Sequence, residues 1–159
     1  MTKNMKKSFH TDSVKKTITI KASKEKVWHK ISNITDMSWV LDVKKTTYLS
    51  KKRRNVGAIR KITFTDDNTI EEHVVAWKEG EYFTYIATDG LPLRAYVATI
   101  SIKSKNMKTT QLTWQSYFNS KKMSREQFRE FVAFIGTFYE TSLNNLKRSL
   151  ENSTRKPVN

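Results

Sequence analysis

The chain contains no cysteine, which excludes disulfide bonds, thiolate catalysis and thiolate metal sites. Glycine and proline are scarce, at four and two of 159 residues, and neither a glycine-rich phosphate-binding loop nor a proline-rich linker is present. The three histidines, His10, His29 and His73, do not have the spacing of metal ligands. We therefore expect no metal and no cofactor.

Long hydrophobic runs are also missing. No segment is apolar enough to span a bilayer, and the lysine-rich start is not followed by the apolar stretch of a signal peptide. We therefore expect a cytoplasmic protein. Hydrophobic residues still make up 37% of the chain and aromatic residues 11%, which argues against disorder and favours a folded core.

Acidic residues are few relative to basic ones. The chain has 15 Asp and Glu residues and 30 Lys and Arg residues, which gives a net charge of +15. This excess attracts polyanions and anionic membranes, although lysine runs most often form solvated turns. Lys51 to Arg54 and Lys121-Lys122 could gather at one end of the molecule as a patch for RNA, ribosome or anionic lipid. No aromatic residues are interleaved with these lysines, which weakens the nucleic-acid interpretation.

The chain does contain a series of strand patterns. Alternating residues from Val14 to Lys21 predict a half-buried strand, and Ser23 is a plausible N-cap for a short helix. A second short helix, capped by Thr35 or Asp36, would hold Met37, Trp39, Val40 and Leu41. Six more strands joined by short turns are predicted at residues 43–49, 57–64, 69–77, 81–88, 94–103 and 108–118. Such short connections predict an antiparallel meander.

One long helix is predicted from Ser124 to Leu150. Its apolar residues recur every three or four positions, and Ser124 with Gln127 forms a capping-box pattern. A long, aromatic-rich helical face needs a broad apolar partner, which the sheet supplies. We therefore expect one α+β domain over residues 13–151, between a flexible basic lead-in at 1–12 and a flexible tail at 152–159.

A charged pair falls on the predicted inner face of the sheet. Arg60 and Glu72 lie almost opposite one another across the hairpin that turns at residues 66–69. Burying charge is costly unless the charges are paired. The two residues are either a buried ion pair that fixes the hairpin register, or polar groups on the floor of a cavity that orient a ligand.

Several short patterns resemble the polyketide cyclase/dehydrase branch of the START-like (Bet v 1-like, SRPBCC) superfamily. They occur in the family's order: Val27-Trp28, Met37-Ser38-Trp39, Val56-Gly57-Ala58-Ile59-Arg60, Ile70-Glu71-Glu72 with Ala76-Trp77, Tyr82-Phe83-Thr84-Tyr85, Asp89-Gly90-Leu91-Pro92 and Leu112-Thr113-Trp114. Each motif alone is weak, but their order and spacing are fairly specific. The resemblance runs from Val14 to Leu150.

The resemblance implies a helix-grip fold. In this fold a curved seven-stranded antiparallel sheet surrounds a long C-terminal helix, two short helices follow the first strand, and an apolar cavity lies between sheet and helix. Together with the inner-face pattern, it predicts these ligand-binding residues: Trp39, Arg60, Ile62, Glu72, Val74, Tyr85, Tyr96, Ala98, Trp114, Ser116, Phe131, Ile135, Phe138 and Tyr139.

Three functions are compatible with this pattern. We favour a carrier, sensor or sequestering protein for a hydrophobic small molecule such as a lipid, polyketide or isoprenoid-like compound. One alternative is a cyclase or dehydratase in which Glu72 acts as general base beside Arg60 and Tyr85. Another is a basic accessory protein that binds RNA, ribosome or anionic membrane. Gly136 in the long helix could leave room for a ligand, or merely for a close strand. The protein could be a monomer or a dimer.

Overall fold

A computed structural model describes residues 9–152. The described chain forms seven strands and two helices. In chain order these are β1 (Thr11–Ile20), α1 (Lys24–Ile31), β2 (Val43–Tyr48), β3 (Ile59–Phe64), β4 (Thr69–Lys78), β5 (Tyr82–Asp89), β6 (Leu93–Asn106), β7 (Thr109–Ser120) and α2 (Arg125–Asn152). Most of the predicted lead-in, and the tail from residue 153 onward, lie outside the described residues. The last two residues of the predicted lead-in belong to β1.

The strands form one antiparallel sheet in the order β1-β7-β6-β5-β4-β3-β2. Each strand from β2 to β7 pairs with its neighbour in sequence, as a meander requires, and β1 joins the far edge beside β7. Register shifts at residues 71–72 and 74–76 interrupt the pairing of β4 with β5. Bulges of this kind increase the local twist and bend the strand. The α+β helix-grip architecture is thereby confirmed.

The alternation of side chains places the predicted set on the inner face of the sheet. Ile62, Phe83 and Leu112 are almost fully buried there, as expected from their parity. Arg60 pairs directly with Glu72, which confirms that the two oppose each other across the β3–β4 hairpin. The inner face packs against α2 and forms a single core with α1.

Helix α2 begins as its capping box predicted. The Ser124 hydroxyl accepts a hydrogen bond from the Gln127 amide at 3.1 Å, and the Gln127 side chain accepts one from the Ser124 amide at 2.9 Å. Its apolar face buries Ile135, Tyr139 and Leu143 against the sheet. The helix crosses near β1, where Lys16 pairs with Glu140 at 3.6 Å.

The interpretation of Gly136 as room for a ligand is wrong. A Cβ added there would meet only the Lys16 side chain, with 3.7 Å to its Cε atom. Gly136 therefore faces β1 and not the space between α2 and the middle of the sheet. The preceding residue, Ile135, faces the core, and one helical step of about 100° separates the two directions.

The second predicted short helix does not form. Residues 32–42 make a series of turns, in which the Asp36 amide donates to the Asn33 carbonyl and the Val40 amide to the Met37 carbonyl. Side chains of α2 satisfy other backbone groups of this segment. Ser142 accepts from the Leu41 amide at 2.9 Å, and Asn145 donates to the Trp39 carbonyl at 3.3 Å. Because tertiary partners satisfy these groups, the segment does not need helical hydrogen bonds.

The loop between β5 and β6 depends on Gly90. Its φ of +96° lies in the left-handed region, which other residues adopt at a cost. A Cβ at this position would lie only 2.0 Å from the Thr69 carbonyl oxygen. Glycine thus lets the β5–β6 loop approach the start of β4, and this contact closes one side of the space under α2.

Candidate functional site

A cavity of about 510 Å³ lies between the inner face of the sheet and α2. Its sheet side is formed by inward-facing residues of β3, β4, β5, β6 and β7, and its helix side by residues 131–139 of α2. Three connections contribute to its rim: the turns before β2, the β3–β4 turn and the β5–β6 loop. Apolar side chains predominate in the wall. Ligand pockets typically measure 300–1,000 Å³, so the volume suits a small molecule.

The floor contains the Arg60–Glu72 pair. Only 6% of Arg60 and 7% of Glu72 is exposed. Arg60 donates one hydrogen bond from Nε to Oε1 of Glu72 at 2.9 Å, and its Nη2 lies 2.7 Å from the same oxygen in the ion pair. Its Nη1 donates to the Ile34 carbonyl at 2.7 Å. The guanidinium also lies 5.0 Å from the centre of the Tyr85 ring. Each of the three guanidinium nitrogens of Arg60 therefore contacts another group of the protein.

Only one of the two Glu72 carboxylate oxygens has a partner within the described residues. Both contacts from Arg60 are to Oε1, whereas Oε2 accepts no hydrogen bond from any residue in the range 9–152. Glu72 also lines the cavity. Burial raises the pKa of Glu72, and the Arg60 guanidinium offsets part of that rise. The carboxylate thus presents one unoccupied acceptor atom, in a desolvated place, to whatever enters the cavity.

Three tyrosines continue the polar floor beside Glu72. The Tyr85 hydroxyl accepts a hydrogen bond from Nε1 of Trp114 at 3.0 Å, and the hydroxyls of Tyr96 and Tyr139 hydrogen-bond to each other. The Trp114 and Tyr139 rings stack with their centres 3.9 Å apart. Burial raises the pKa of each of the three phenols, so all remain protonated donors at neutral pH.

Nine of the fourteen predicted binding residues line this cavity. They are Ile62, Glu72, Tyr85, Tyr96, Trp114, Phe131, Ile135, Phe138 and Tyr139. They share one property, since each lies either at an inward position of a strand or on the sheet-facing side of α2. The periodicity of the sequence carries this information directly.

The other five predicted residues are absent from the cavity wall. Arg60 lies behind Glu72, beneath the turn that carries Ile34. Trp39 is buried under the same turns, with its ring edge-on to Trp114 at 5.6 Å.

Val74, Ala98 and Ser116 all point inward, but their side chains are short. Val74 and Ala98 pair across the sheet with Tyr85, whose longer side chain reaches the cavity, and Ser116 pairs with Ala98. These three positions therefore form the layer beneath the cavity floor. Parity alone does not distinguish such a layer from the surface of a cavity.

Sequence reasoning missed much of the rim. The additional lining residues are Met37, Val40, Asp42, Phe64, Thr65, Asp66, Asn68, Ile70, Gly90, Leu91, Pro92 and Phe134. Strand alternation could have identified two of them, because Phe64 and Ile70 have the same inward-facing parity as Ile62 and Glu72. The turn residues carry no periodic signal. Phe134 is 58% exposed, on the edge of the helical face.

The two basic segments do not gather at one end of the molecule, contrary to expectation. Arg54 pairs with Glu79 at 2.6 Å, just before β5 begins. Lys121 lines a groove with Gly90 and Leu91, just after β5 ends. They are therefore separated by the length of an eight-residue strand, roughly 25 Å at the usual rise per residue. No single basic patch is formed from these two segments.

Glu79 organises the end of the molecule near Arg54. Its carboxylate accepts hydrogen bonds from the indole nitrogens of Trp28 and Trp77 at 2.7 and 2.8 Å, in addition to the Arg54 contact. These hydrogen bonds lower the pKa of Glu79. The cluster ties α1 to the β4–β5 turn, and we assign it a structural role.

Within residues 9–152, no group of three or more acidic or histidine side chains is arranged to hold a metal ion. Neither of the two described helices is long and apolar enough to cross a membrane. The cavity offers mainly apolar surface, with a carboxylate and phenol hydroxyls on its floor and two further carboxylates at its rim.

Solved structures of similar shape come from several sources. The Zhui aromatase/cyclase from Streptomyces sp. R1128 has a TM-score of 0.81 at 14% identity, over 92% of this chain and 97% of its own. Norcoclaurine synthase from Thalictrum flavum, solved with dopamine and hydroxybenzaldehyde, has a TM-score of 0.72 at 14% identity, over 94% of this chain and 91% of its own. An uncharacterized protein from Bacillus thuringiensis has a TM-score of 0.75 at 22% identity, over 87% of this chain and 98% of its own. At these identities the likeness shows the fold alone.

Among curated proteins, none matches this sequence. A family model does match, and its description is polyketide cyclase / dehydrase and lipid transport. The match extends over residues 11–151, from the start of β1 almost to the end of α2. It therefore includes every element that forms the cavity. The chain belongs to the polyketide cyclase/dehydrase and lipid transport family.

Proposed function

We propose that this protein reversibly binds a hydrophobic small molecule in the cavity under α2, as a carrier, sensor or sequestering protein. The observation that supports this most directly is the cavity itself. It measures about 510 Å³ in a chain of 159 residues, and its wall is mainly apolar with a few convergent polar groups. A protein that needed only a stable core would gain packing energy by filling such a space.

The affinity would come mainly from apolar burial. Each Å² of apolar ligand surface removed from water contributes about 25 cal/mol before entropic costs. Aromatic rings from both the sheet and α2 supply the contacts, among them Tyr85, Trp114 and Phe138. The polar floor at Glu72 would then fix the ligand's orientation and add a smaller part of the affinity.

Native mass spectrometry of protein purified gently from its own cells tests the proposal. We expect a co-purifying organic mass that is lost on denaturation. Fluorescence titration with the neutral dye N-phenyl-1-naphthylamine provides a second test, with saturable binding at one site expected. Absence of both a bound mass and saturable dye binding would contradict the proposal.

Two isoleucines offer a matched pair of variants for this titration. Ile70 and Ile86 are both half-buried strand residues, but Ile70 lines the cavity and Ile86 does not. Ile70→Trp places an indole at the rim, so we expect the dye affinity to fall by about tenfold. Ile86→Trp should leave the affinity unchanged. Equal effects of the two substitutions would mean that the dye does not bind in this cavity.

A cyclase or dehydratase is the second candidate function, and Glu72 favours it. Glu72 lines the cavity, its carboxylate is desolvated, and its Oε2 accepts no hydrogen bond within the described residues, as suits a general base. Tyr85 could polarise a carbonyl group, whereas Arg60 would act only by holding Glu72 in place. Two of the similar structures are named as enzymes. Glu72→Gln should abolish any turnover found, and unchanged turnover would exclude this role.

A further inference from the structure

We propose that the ligand is an uncharged molecule whose polar end donates a hydrogen bond to Oε2 of Glu72, and that the cavity excludes anions such as fatty acids and phosphates. This inference depends on the proposed binding function and specifies the class of ligand. The net charge of +15 would by itself favour anionic partners, whereas this inference is for an uncharged ligand.

The cavity wall has the opposite charge balance from the chain as a whole. Its ionisable side chains, apart from the tyrosines, are three carboxylates: Asp42 and Asp66 at the rim and Glu72 on the floor. No lysine, arginine or histidine of the described range lines it. An anion entering this space would therefore meet carboxylates and find no counter-ion.

The one nearby buried cation does not compensate. Arg60 contacts Oε1 of Glu72 through a hydrogen bond from Nε and an ion-pair contact from Nη2, and its Nη1 donates to the Ile34 carbonyl. It is absent from the cavity wall. Its charge is balanced by Glu72, so the floor is neutral overall but presents a carboxylate edge. A ligand carboxylate placed there would lie beside a like charge in a desolvated site, which is strongly unfavourable.

Three cations near the rim in the chain or in space, Lys44, Arg94 and Lys121, are not part of the cavity wall. Lys44 pairs with Asp67 at 2.9 Å. Arg94 and Lys121 line a neighbouring groove of about 230 Å³, which shares Tyr96 and part of the β5–β6 loop with the cavity. An anionic group could remain in that groove, but it would leave the floor unused.

A neutral hydroxyl group fits the floor better than any charged group. Oε2 of Glu72 needs a donor, and a ligand hydroxyl supplies one without adding charge. The Tyr85 hydroxyl accepts from Trp114 and keeps its own proton to donate, which suits a neutral oxygen acceptor on the same ligand. The aromatic wall suits a flat ring system. The geometry therefore favours a hydroxylated aromatic or polycyclic compound.

Calorimetric titration with three naphthalenes of similar size tests this inference. 2-Naphthol is neutral and has a donor, 2-methoxynaphthalene is neutral without a donor, and 2-naphthoate is an anion. We expect 2-naphthol to bind about tenfold more tightly than 2-methoxynaphthalene, since a hydrogen bond to a charged group is lost. We expect 2-naphthoate to bind more weakly still, by at least about tenfold, because of desolvation and like-charge repulsion. Measurements at high salt reduce the long-range attraction between the basic protein and the anion.

Two charge-removing variants provide the control. Asp42 lines the cavity rim and has a φ of +59°, which asparagine tolerates. Glu130 is exposed on α2 and is not part of the wall. Asp42→Asn should improve 2-naphthoate binding by about threefold, since a like charge is removed at the rim. Glu130→Gln, with the same change in net charge, should leave it unchanged.

The outcomes separate this inference from the function on which it depends. If 2-naphthoate binds as tightly as 2-naphthol, or if 2-methoxynaphthalene does, the inference is overturned while a hydrophobic binding cavity stands. If none of the three compounds binds, and N-phenyl-1-naphthylamine does not bind either, both proposals fail. The expected order of affinities, with the Asp42→Asn effect, supports the inference.

Discussion

Replacing Arg60 by methionine tests whether the buried ion pair holds the floor of the cavity in place. Methionine keeps a long flexible side chain but removes the charge and the donors. In the folded protein, Glu72 would then lose its hydrogen bond from Nε and its ion pair with the guanidinium, and the Ile34 carbonyl would lose the donor at 2.7 Å. The carboxylate would remain buried without a partner, because only 7% of Glu72 is exposed.

The expected loss of stability is large for a single substitution. Removing one partner of a buried pair typically costs about 3–5 kcal/mol. We expect Arg60→Met to lower the free energy of unfolding by about 4 kcal/mol at neutral pH. For a domain of this size each kcal/mol lowers Tm by about 2–4 °C, so Tm should fall by about 8–16 °C.

The loss should also depend on pH. Without Arg60, the one charge that lowers the pKa of Glu72 is gone, so burial raises its folded-state pKa further above the unfolded value of 4.5. A group with a raised folded-state pKa contributes its stability below the unfolded pKa and loses it as the pH rises through the folded-state pKa. The defect of Arg60→Met should therefore be smaller at about pH 4 than at pH 7.

Urea unfolding at the two pH values measures both effects. The double variant Arg60→Met/Glu72→Leu should recover much of the loss, because it removes the stranded charge. Lys44→Met is the control, since its pair with Asp67 is exposed, and we expect a change of about 0.5 kcal/mol or less. A loss below about 1 kcal/mol for Arg60→Met, or one that is independent of pH, would refute the reasoning.

Two glycines support further predictions of opposite sign. Gly90→Ala should destabilise the protein by about 3 kcal/mol or more and weaken dye binding. The reasons are that its Cβ would lie 2.0 Å from the Thr69 carbonyl oxygen and that its φ is positive. An unchanged Tm in thermal unfolding would contradict the packing of this loop. Gly136→Ala should stabilise the protein by about 0.5–1 kcal/mol, since a helix-interior glycine is replaced and the new Cβ makes only an ordinary contact with Lys16. Dye affinity should stay unchanged in that variant, and a clear loss would mean that Gly136 borders the binding site after all.

Much of the fold could be predicted from local periodicity. Alternation along the strands placed Ile62, Glu72 and Tyr85 inward, and a three-four pattern identified the buried face of α2, because side-chain direction in regular elements follows the backbone repeat. The opposition of Arg60 and Glu72 followed from counting outward from a tight turn, since pairing in a hairpin is fixed by that turn.

The irregular segments could not be predicted in the same way. Residues 35–41 have the pattern of a short capped helix, yet backbone groups of Trp39 and Leu41 bond to Asn145 and Ser142 of α2, more than a hundred residues away. Likewise, the positions of the basic segments at opposite ends of β5 depend on which turns meet in space.

The sequence by itself determined which side chains face the interior, because strand and helix repeats are local properties of the chain. Only the tertiary structure decided which of those side chains border an open cavity and which are packed beneath it. That distinction depends on the curvature of the sheet, on the reach of Tyr85 over its shorter neighbours, and on the β5–β6 loop that Gly90 allows to approach β4. A cavity is space left between elements, so no single element's sequence specifies it.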